Sequence, residues 1–295
     1  MASQRDVKNK ISAVKNIQKI TRAMEMVAAA RLRRAEQRIE ALRPYADALA
    51  RMTRQAADAA GAEAKRVPLL REHESQTNVG VLLVTGDRGL AGGFNSQIVR
   101  AGVRLSAELT EQGLRSAWYA TGRRGVSSLT FRGYELSGAY TGFADRPAYA
   151  DARTIAADVV QAYVDGQLDR VEMIYNSYVS PLTQHVTRQT LLPLTDQALS
   201  GQEDVAPAKR GSVEYEPDPE QILRRLVPDY IEISIYRALV ESAAGFFGAQ
   251  MTAMRSASEN AGEIITDYTL QMNRARQAEI TQEIMEVVAG AEGLS

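Results

Sequence analysis

The chain contains no cysteine, which excludes disulfide scaffolds, thiolate metal sites, cysteine nucleophiles and thiol-redox control. It has two histidines, His73 and His185, too few for a histidine-built zinc cage. Long apolar runs are missing as well. Stretches such as Val79–Val84 fall far short of the roughly 20 residues a membrane-spanning helix needs. The opening residues MASQRDVKNK hold no apolar stretch like that of a signal peptide. The expectation is a protein made and used in the cytoplasm, against a membrane complex but not inserted in the bilayer. Net charge is −1 over 295 residues, with 45% hydrophobic and 24% charged side chains. That is the composition of a folded chain of one or two domains.

Glycine and proline are absent where their absence says most. No Gly occurs in residues 1–60, and sixteen of the 21 fall between 61 and 211. Pro44 is the one proline of the first block, and none follows Pro228. Glycine disfavours helix by about 1 kcal/mol relative to Ala. Both ends are therefore free to form long helices around a glycine-rich middle. The division is 1–60 as an N-terminal coiled-coil helix, 61–211 as an α/β domain with linkers, and 212–295 as a C-terminal coiled-coil helix.

In the first block, Val7, Ile11, Val14, Ile17, Ile20, Met24 and Val27 recur at three- and four-residue steps. They predict a narrow apolar stripe like a coiled-coil seam. Some 55 helical residues would reach roughly 80 Å, with a slight kink at Pro44. The last block opens on Asp218-Pro219-Glu220-Gln221, a helix start with a capping Asp and Pro at the first position. Its stripe runs through Met251, Met254, Ile264, Tyr268 and Met272 to Ile280, Ile284 and Val287. Pro228 is expected to bend its first turns. Residues 1–60 hold thirteen basic and six acidic side chains, a surplus of seven positive charges. Residues 226–295 hold four basic and ten acidic ones, a surplus of six negative charges. The two helices are expected to pair antiparallel. Seam burial supplies most of the stability, since exposed ion pairs give only ~0–1 kcal/mol each.

The middle block alternates strand and helix patterns. Val79–Thr85, Ser116–Ala120, Tyr134–Ala139, Val171–Tyr178 and His185–Leu192 read as strands, with helices over Phe94–Gln112 and Ala150–Val164. The implied fold class is α/β plus a long antiparallel coiled coil, with a central Rossmann-like open sheet that is largely parallel.

Few residues suggest chemistry. The turn Gly86-Asp87-Arg88-Gly89-Leu90-Ala91-Gly92-Gly93 follows a strand and precedes a helix. Its spacing is G-x-x-G-x-x-G-G, neither the dinucleotide fingerprint nor a phosphate loop. It reads as a nucleotide turn, a tight structural turn, or a protein-contact loop with Asp87 and Arg88 exposed. No G-x-S-x-G nucleophile elbow occurs. His73 reads as a solvated loop residue and His185 as a strand-face residue. Glu283 and Glu286 lie one helical turn apart and read as solvated charge. Arg31, Arg33, Arg34 and Arg38 read as a solvated face, a contact for an acidic protein surface, or a nucleic-acid patch. No constellation carries the parts of an active site, and no cofactor is expected.

Three segments resemble a known family in order along the chain. They are Ile11–Arg34 (ISAVKNIQKITRAMEMVAAARLRR), Thr85–Asn95 (TGDRGLAGGFN) and Met251–Ala291 (MTAMRSASENAGEIITDYTLQMNRARQAEITQEIMEVVAGA), with Tyr215-Glu216-Pro217-Asp218 before the last helix. Together they resemble the gamma subunit of the F-type ATP synthase. The resemblance implies a non-catalytic rotor shaft inside a ring of alpha and beta subunits, with its α/β domain beside the epsilon subunit and the membrane c-ring. It implies that Arg88, Arg276, Gln277 and Thr281 touch beta-subunit loops, with Glu283 and the Asp87 loop counted with them. Arg22 and Met24 would face the acidic beta lever, and Tyr215 and Glu216 the foot near epsilon and the c-ring. Met24 equally reads as seam core, and Gln277 with Thr281 as a solvated polar face. Ser242–Gln250 (SAAGFFGAQ) departs from the family pattern, with Gly245 and Gly248 expected to loosen the helix or alter its packing. The competing functions are a nucleotide-using enzyme and a coiled-coil adaptor or nucleic-acid scaffold.

Overall fold

The computed structural model describes residues 4–73, 76–194 and 218–292. The chain divides into two compact units, residues 1–29 with 250–295 and residues 30–249. Helix α1 spans Gln4–Ala60 and continues through Pro44. Helix α5 spans Pro219–Glu292 and continues through Pro228. Its start is the expected one. The amides of Gln221 and Ile222 both donate to the carbonyl of Asp218, with Pro219 at the first helical position, where no N–H is needed.

In the first unit the helices run antiparallel. Lys10 lies over the Tyr268 ring at 5.8 Å, Gln18 donates to the Ser258 carbonyl at 3.2 Å, and Arg255 pairs with Glu25 at 2.9 Å. That last pair runs against the bulk charge imbalance, so burial and not net charge holds the coil. On α1 the covered positions include Val7, Ile11, Val14, Gln18, Thr21, Glu25 and Ala28. On α5 the covered positions include Met251, Met254, Ser258, Ala261, Ile265, Tyr268 and Met272. Both sets step strictly by alternating threes and fours, the 3.5-residue repeat of a left-handed coil.

This corrects the expected stripe. Ile17, Ile20 and Val27 stand 53%, 58% and 52% exposed, and Ile264 is outside while Ile265 is inside. Two successive three-residue steps, Val14–Ile17–Ile20, lag behind a 3.5 repeat and rotate off the seam. Small Thr21, Ala28, Ser258 and Ala261 occupy the seam instead. Amide hydrogen exchange over residues 7–28 tests the assignment. Ile11→Ser should speed exchange by more than about tenfold, since losing a buried Ile costs roughly 2 kcal/mol or more. Ile17→Ser should leave exchange unchanged.

The second unit is built on a five-stranded sheet of order β3-β2-β1-β4-β5. The strands are β1 Asn78–Val84, β2 Arg115–Thr121, β3 Leu136–Tyr140, β4 Arg170–Ser180 and β5 Thr183–Leu192. β1 to β4 are mutually parallel, and β5 returns antiparallel to β4 through a tight hairpin. Helices α2 (Phe94–Glu111), α3 (Arg123–Phe131) and α4 (Tyr149–Val164) are the crossovers. Alternation along β1 assigns its two faces. Leu82 and Val84 join a core with α4, α1 residues 46–56 and α5 residues 223–239. On the other face α2 comes so close that a side chain at Gly102 would meet Leu83 and Trp118.

Helix α3 had no forecast. Its nine residues, RRGVSSLTF, carry too few apolar side chains to show a period, and only docking against β2 and β3 makes it a helix.

Candidate functional site

The sheet order places a topological switch between β1 and β4, the place where open α/β sheets bind nucleotides. Here the crevice is full. α5 crosses the carboxyl ends of these strands, and the Phe246 ring lies 3.0 Å from where a Gly86 side chain would begin. Phe246 also meets Phe94 edge-on, with ring centroids 5.7 Å apart. Phe246 therefore packs directly on the turn at Gly86, the place where a pyrophosphate would approach, which weighs against the nucleotide reading.

Gly245 and Gly248 make that crossing possible. A side chain on Gly245 would meet Phe94 at 3.2 Å, and one on Gly248 the Pro181 carbonyl at 2.9 Å. Helix α5 is unbroken here and buried nearly all round. The glycines serve close approach, not loosening.

The glycine-rich loop is pinned by hydrogen bonds at both ends. Asn95 accepts from the Gly86 amide at 2.8 Å and donates to the Arg88 carbonyl at 3.0 Å. Leu90, 65% exposed at its tip, is held at φ 63, an uncommon conformation for leucine. Asp87 is not exposed as expected but half-buried. Its carboxylate accepts from the backbone N–H groups of Arg123, Gly142 and Ala144 at 3.0–3.1 Å. Asp87 therefore ties the ends of β1, β2 and β3 together. Arg88 is exposed and reaches Asp145 at 3.4 Å, which also takes Arg31 of α1 at 3.1 Å. Asp145 had no signature in the sequence, because a loop carboxylate becomes a bridge only once three elements converge.

The other expected partner-contact residues fall apart into groups. In the coil unit Arg22 is exposed and Met24 half-buried beside the seam. On the register set by Lys10–Tyr268 and Gln18–Ser258, Gln4 stands opposite the region near Arg274. From Arg276 to Ala289 every side chain of α5 is exposed. That stretch carries Gln277, Thr281 and Glu283, with the Thr281 hydroxyl donating back to the Gln277 carbonyl at 2.8 Å. It also carries Ile284, Met285 and Val287 at 57%, 66% and 72% exposure. Tyr215 and Glu216 lie outside the described residues. His185 is on β5, exposed, as expected.

His73 is a correction. Its Nδ1 lies 3.0 Å from Asp169, and its ring stacks on Tyr163 at 4.6 Å. Asp169, just ahead of β4, also accepts the Thr77 and Asn78 amides at 2.7 and 2.8 Å, which starts β1. The Tyr163 hydroxyl donates to the Arg71 carbonyl, and burial with the nearby Asp169 and Glu72 charges pushes its pKa up to about 12. Burial alone would raise the Asp169 carboxyl. The Asn78 and Thr77 amides and His73 outweigh it and hold the carboxyl below its ordinary value.

A depressed carboxyl stabilises the fold above the unfolded value of about 4 and loses that contribution as pH falls through the folded value. Asp169→Asn should therefore lower urea-unfolding stability by about 2 kcal/mol at pH 7. The gap from wild type should narrow at pH 3.

Among the described residues no cluster of three or more His, Cys, Asp or Glu side chains could hold a metal ion. None of the described helices is long and apolar enough to cross a membrane.

A family model described as ATP synthase matches residues 3–294. The chain is 41% identical to the ATP synthase gamma chain of Rubrobacter xylanophilus, over 100% of this chain and 99% of that protein. It is likewise 41% identical to the ATP synthase gamma chain of Moorella thermoacetica, over 100% of both. Among solved structures it is similar to a chain of the Tetrahymena thermophila mitochondrial ATP synthase central stalk and c-ring. That match has TM-score 0.59 and 25% identity, covering 81% of this chain and 99% of that one. A chain of the Euglena gracilis mitochondrial ATP synthase rotor shares the fold, with TM-score 0.66 and 17% identity, covering 94% of this chain and 98% of that one.

Proposed function

The chain belongs to the ATP synthase gamma chain family, and on that footing we propose that it is the central rotor shaft of an F-type ATP synthase. It passes torque between a membrane c-ring and the beta subunits, which hold the catalytic sites. It performs no catalysis of its own. Its partners are the alpha and beta subunits of the head, the epsilon subunit and the c-ring. It sits as a peripheral protein on the cytoplasmic face of the cell membrane. Torque enters through the 61–211 block and leaves through the blocks 1–60 and 212–295.

The observation that carries this reading is the bare end of α5. Helix α1 and helix α5 pair through a 3.5-residue seam, and from Arg276 to Ala289 the side chains of α5, apolar ones included, are exposed. Contiguous exposed apolar surface calls for a partner. Apolar contact is non-directional, so such an end can turn within an apolar sleeve. Hydrogen bonds and ion pairs have preferred angles. Gln277, Thr281 and Arg276 beside the apolar end can therefore set resting positions, as can Arg88 on the loop and Arg22 with Met24 on α1. Tyr215 and Glu216 would serve the foot.

Co-purification tests the assignment. The tagged chain should recover a threefold ATPase head whose activity requires it. A head assembled and fully active without the chain would refute it. Within that complex, Gln277→Ala with Thr281→Ala should slow coupled ATP turnover by severalfold while leaving thermal stability unchanged. Unchanged turnover in a correctly assembled complex would make both contacts incidental.

A further inference from the structure

The long helices are not held equally where they lie against the sheet. From Ala238 to Gly248 every residue of α5 is buried. On α1 no residue between Ala35 and Ala46 is buried, and Ile39 and Leu42 are covered only in part. Pro44 lies in the same stretch, where it lacks the N–H that would bond the Glu40 carbonyl. A helix resting on so little apolar surface is free to roll, because apolar contact has no preferred angle.

A directional tie opens this stretch. Tyr178, near the end of β4, donates its hydroxyl to the Glu36 carboxylate of α1 at 2.5 Å. Its backbone amide donates to Glu241 of α5 at 3.4 Å, and Arg237 holds Glu241 at 2.7 Å. Tyr178 is itself fixed. It pairs with Gln184 of β5, whose side-chain amide donates to the Ser180 and Pro181 carbonyls of the same hairpin. Burial, with the Glu36 hydrogen bond and charge, pushes the Tyr178 hydroxyl well above its ordinary pKa, so it stays a donor at physiological pH. Arg31 also ties α1, ahead of Glu36, but its partner Asp145 stands on a loop and not on a strand.

We infer that Tyr178 is a positioning residue, which sets the angle of α1 against the sheet by holding Glu36, while packing alone sets the angle of α5. In a rotor this is the place where twist would otherwise leak between the sheet and α1. That consequence rests on the reading of the chain as a rotor shaft, whereas the angle itself is a property of the isolated chain.

The test uses the full chain alone, so failure to assemble with an ATPase head would not decide it. The chain has no cysteine of its own. Gln37→Cys on α1 and His185→Cys on β5, both at exposed positions, therefore carry two spin labels for pulsed electron resonance. The labelled chain should give one narrow distance distribution. Tyr178→Phe should spread it, the bonded setting losing about tenfold in relative population, as expected for a hydrogen bond to a charged group. Glu36→Gln keeps an acceptor oxygen and should keep the narrow distribution. Tyr178→Phe with Glu36→Leu replaces both polar groups by apolar ones, a change close to neutral for stability. This double variant should melt as wild type does and still give the spread distribution. A narrow distribution in the folded double variant overturns the proposal. So does spreading that follows melting temperature across the variants, since the bond would then be one more contribution to stability. Should Tyr178→Phe fail to fold, because it leaves Glu36 without its partner, the double variant carries the decision.

Discussion

Gly122→Ala is expected to lower the melting temperature by about 10 °C or more, or to leave the chain insoluble, at the ~2–4 °C per kcal/mol typical of a domain of roughly 200 residues. Gly122 joins β2 to α3 at φ 82, where an L side chain costs roughly 1–2 kcal/mol. Strain is the smaller part. A methyl group there would sit 2.2 Å from the Thr85 carbonyl oxygen and 2.8 Å from the Gly86 carbonyl carbon. Both obstacles are backbone, so no rotamer change relieves them. The end of β1 would have to leave β2, breaking the Thr85 amide and hydroxyl bonds to the Thr121 carbonyl at 3.1 and 2.6 Å. The bond from the Gly125 amide to the Thr85 hydroxyl, 2.8 Å, would go with them. Gly113→Ala is the control. Gly113 sits at φ 77 with nothing within 4 Å, so it should cost only the strain. Equal melting shifts for the two variants would show that the clash is absorbed and the argument wrong.

Asp87→Ala should lower stability by about 3 kcal/mol, given ~1.5–3 kcal/mol for each hydrogen bond to a charged group and partial replacement by water. Its carboxylate takes the Arg123, Gly142 and Ala144 amides at once. Asp87→Asn, which keeps one acceptor oxygen, should fall between. The expected signature is local. Amide exchange should accelerate at residues 123 and 142–144 before it does in the β1 core. Asp87 precedes Arg88 and holds the β3–α4 loop that carries Asp145, so the variant should also broaden the geometry of that ion pair. Uniform exchange changes across the sheet, or no change in stability, would mean that Asp87 is the solvated contact residue the sequence suggested.

The Asp87 case shows how far the sequence could be read. The loop was legible as a glycine-rich turn between strand and helix, because glycine count and neighbouring hydrophobic patterns are local. That its acid faces inward was not legible. The amides it accepts come from residues 36 to 57 positions later, and nothing near Asp87 records them. The same holds for His73, read as solvated and found against Asp169, 96 residues away.

Composition and periodicity determined the two end helices, the start of α5 at Pro219, and the existence of five strands. Each depends on propensity and spacing within one segment. Tertiary structure decided which stripe becomes the seam. Ile17, Ile20 and Val27 are as apolar as Val7 and Ile11, but only a 3.5-residue repeat shared by both helices can stay in contact along a coil. It also decided that α3 is a helix and that Phe246 packs against the Gly86 turn. Asp145, too, became a bridge between α1 and the glycine-rich loop only there. These outcomes depend on which surfaces meet, and free energies of burial and hydrogen bonding between distant segments exceed the small local preferences that a sequence displays.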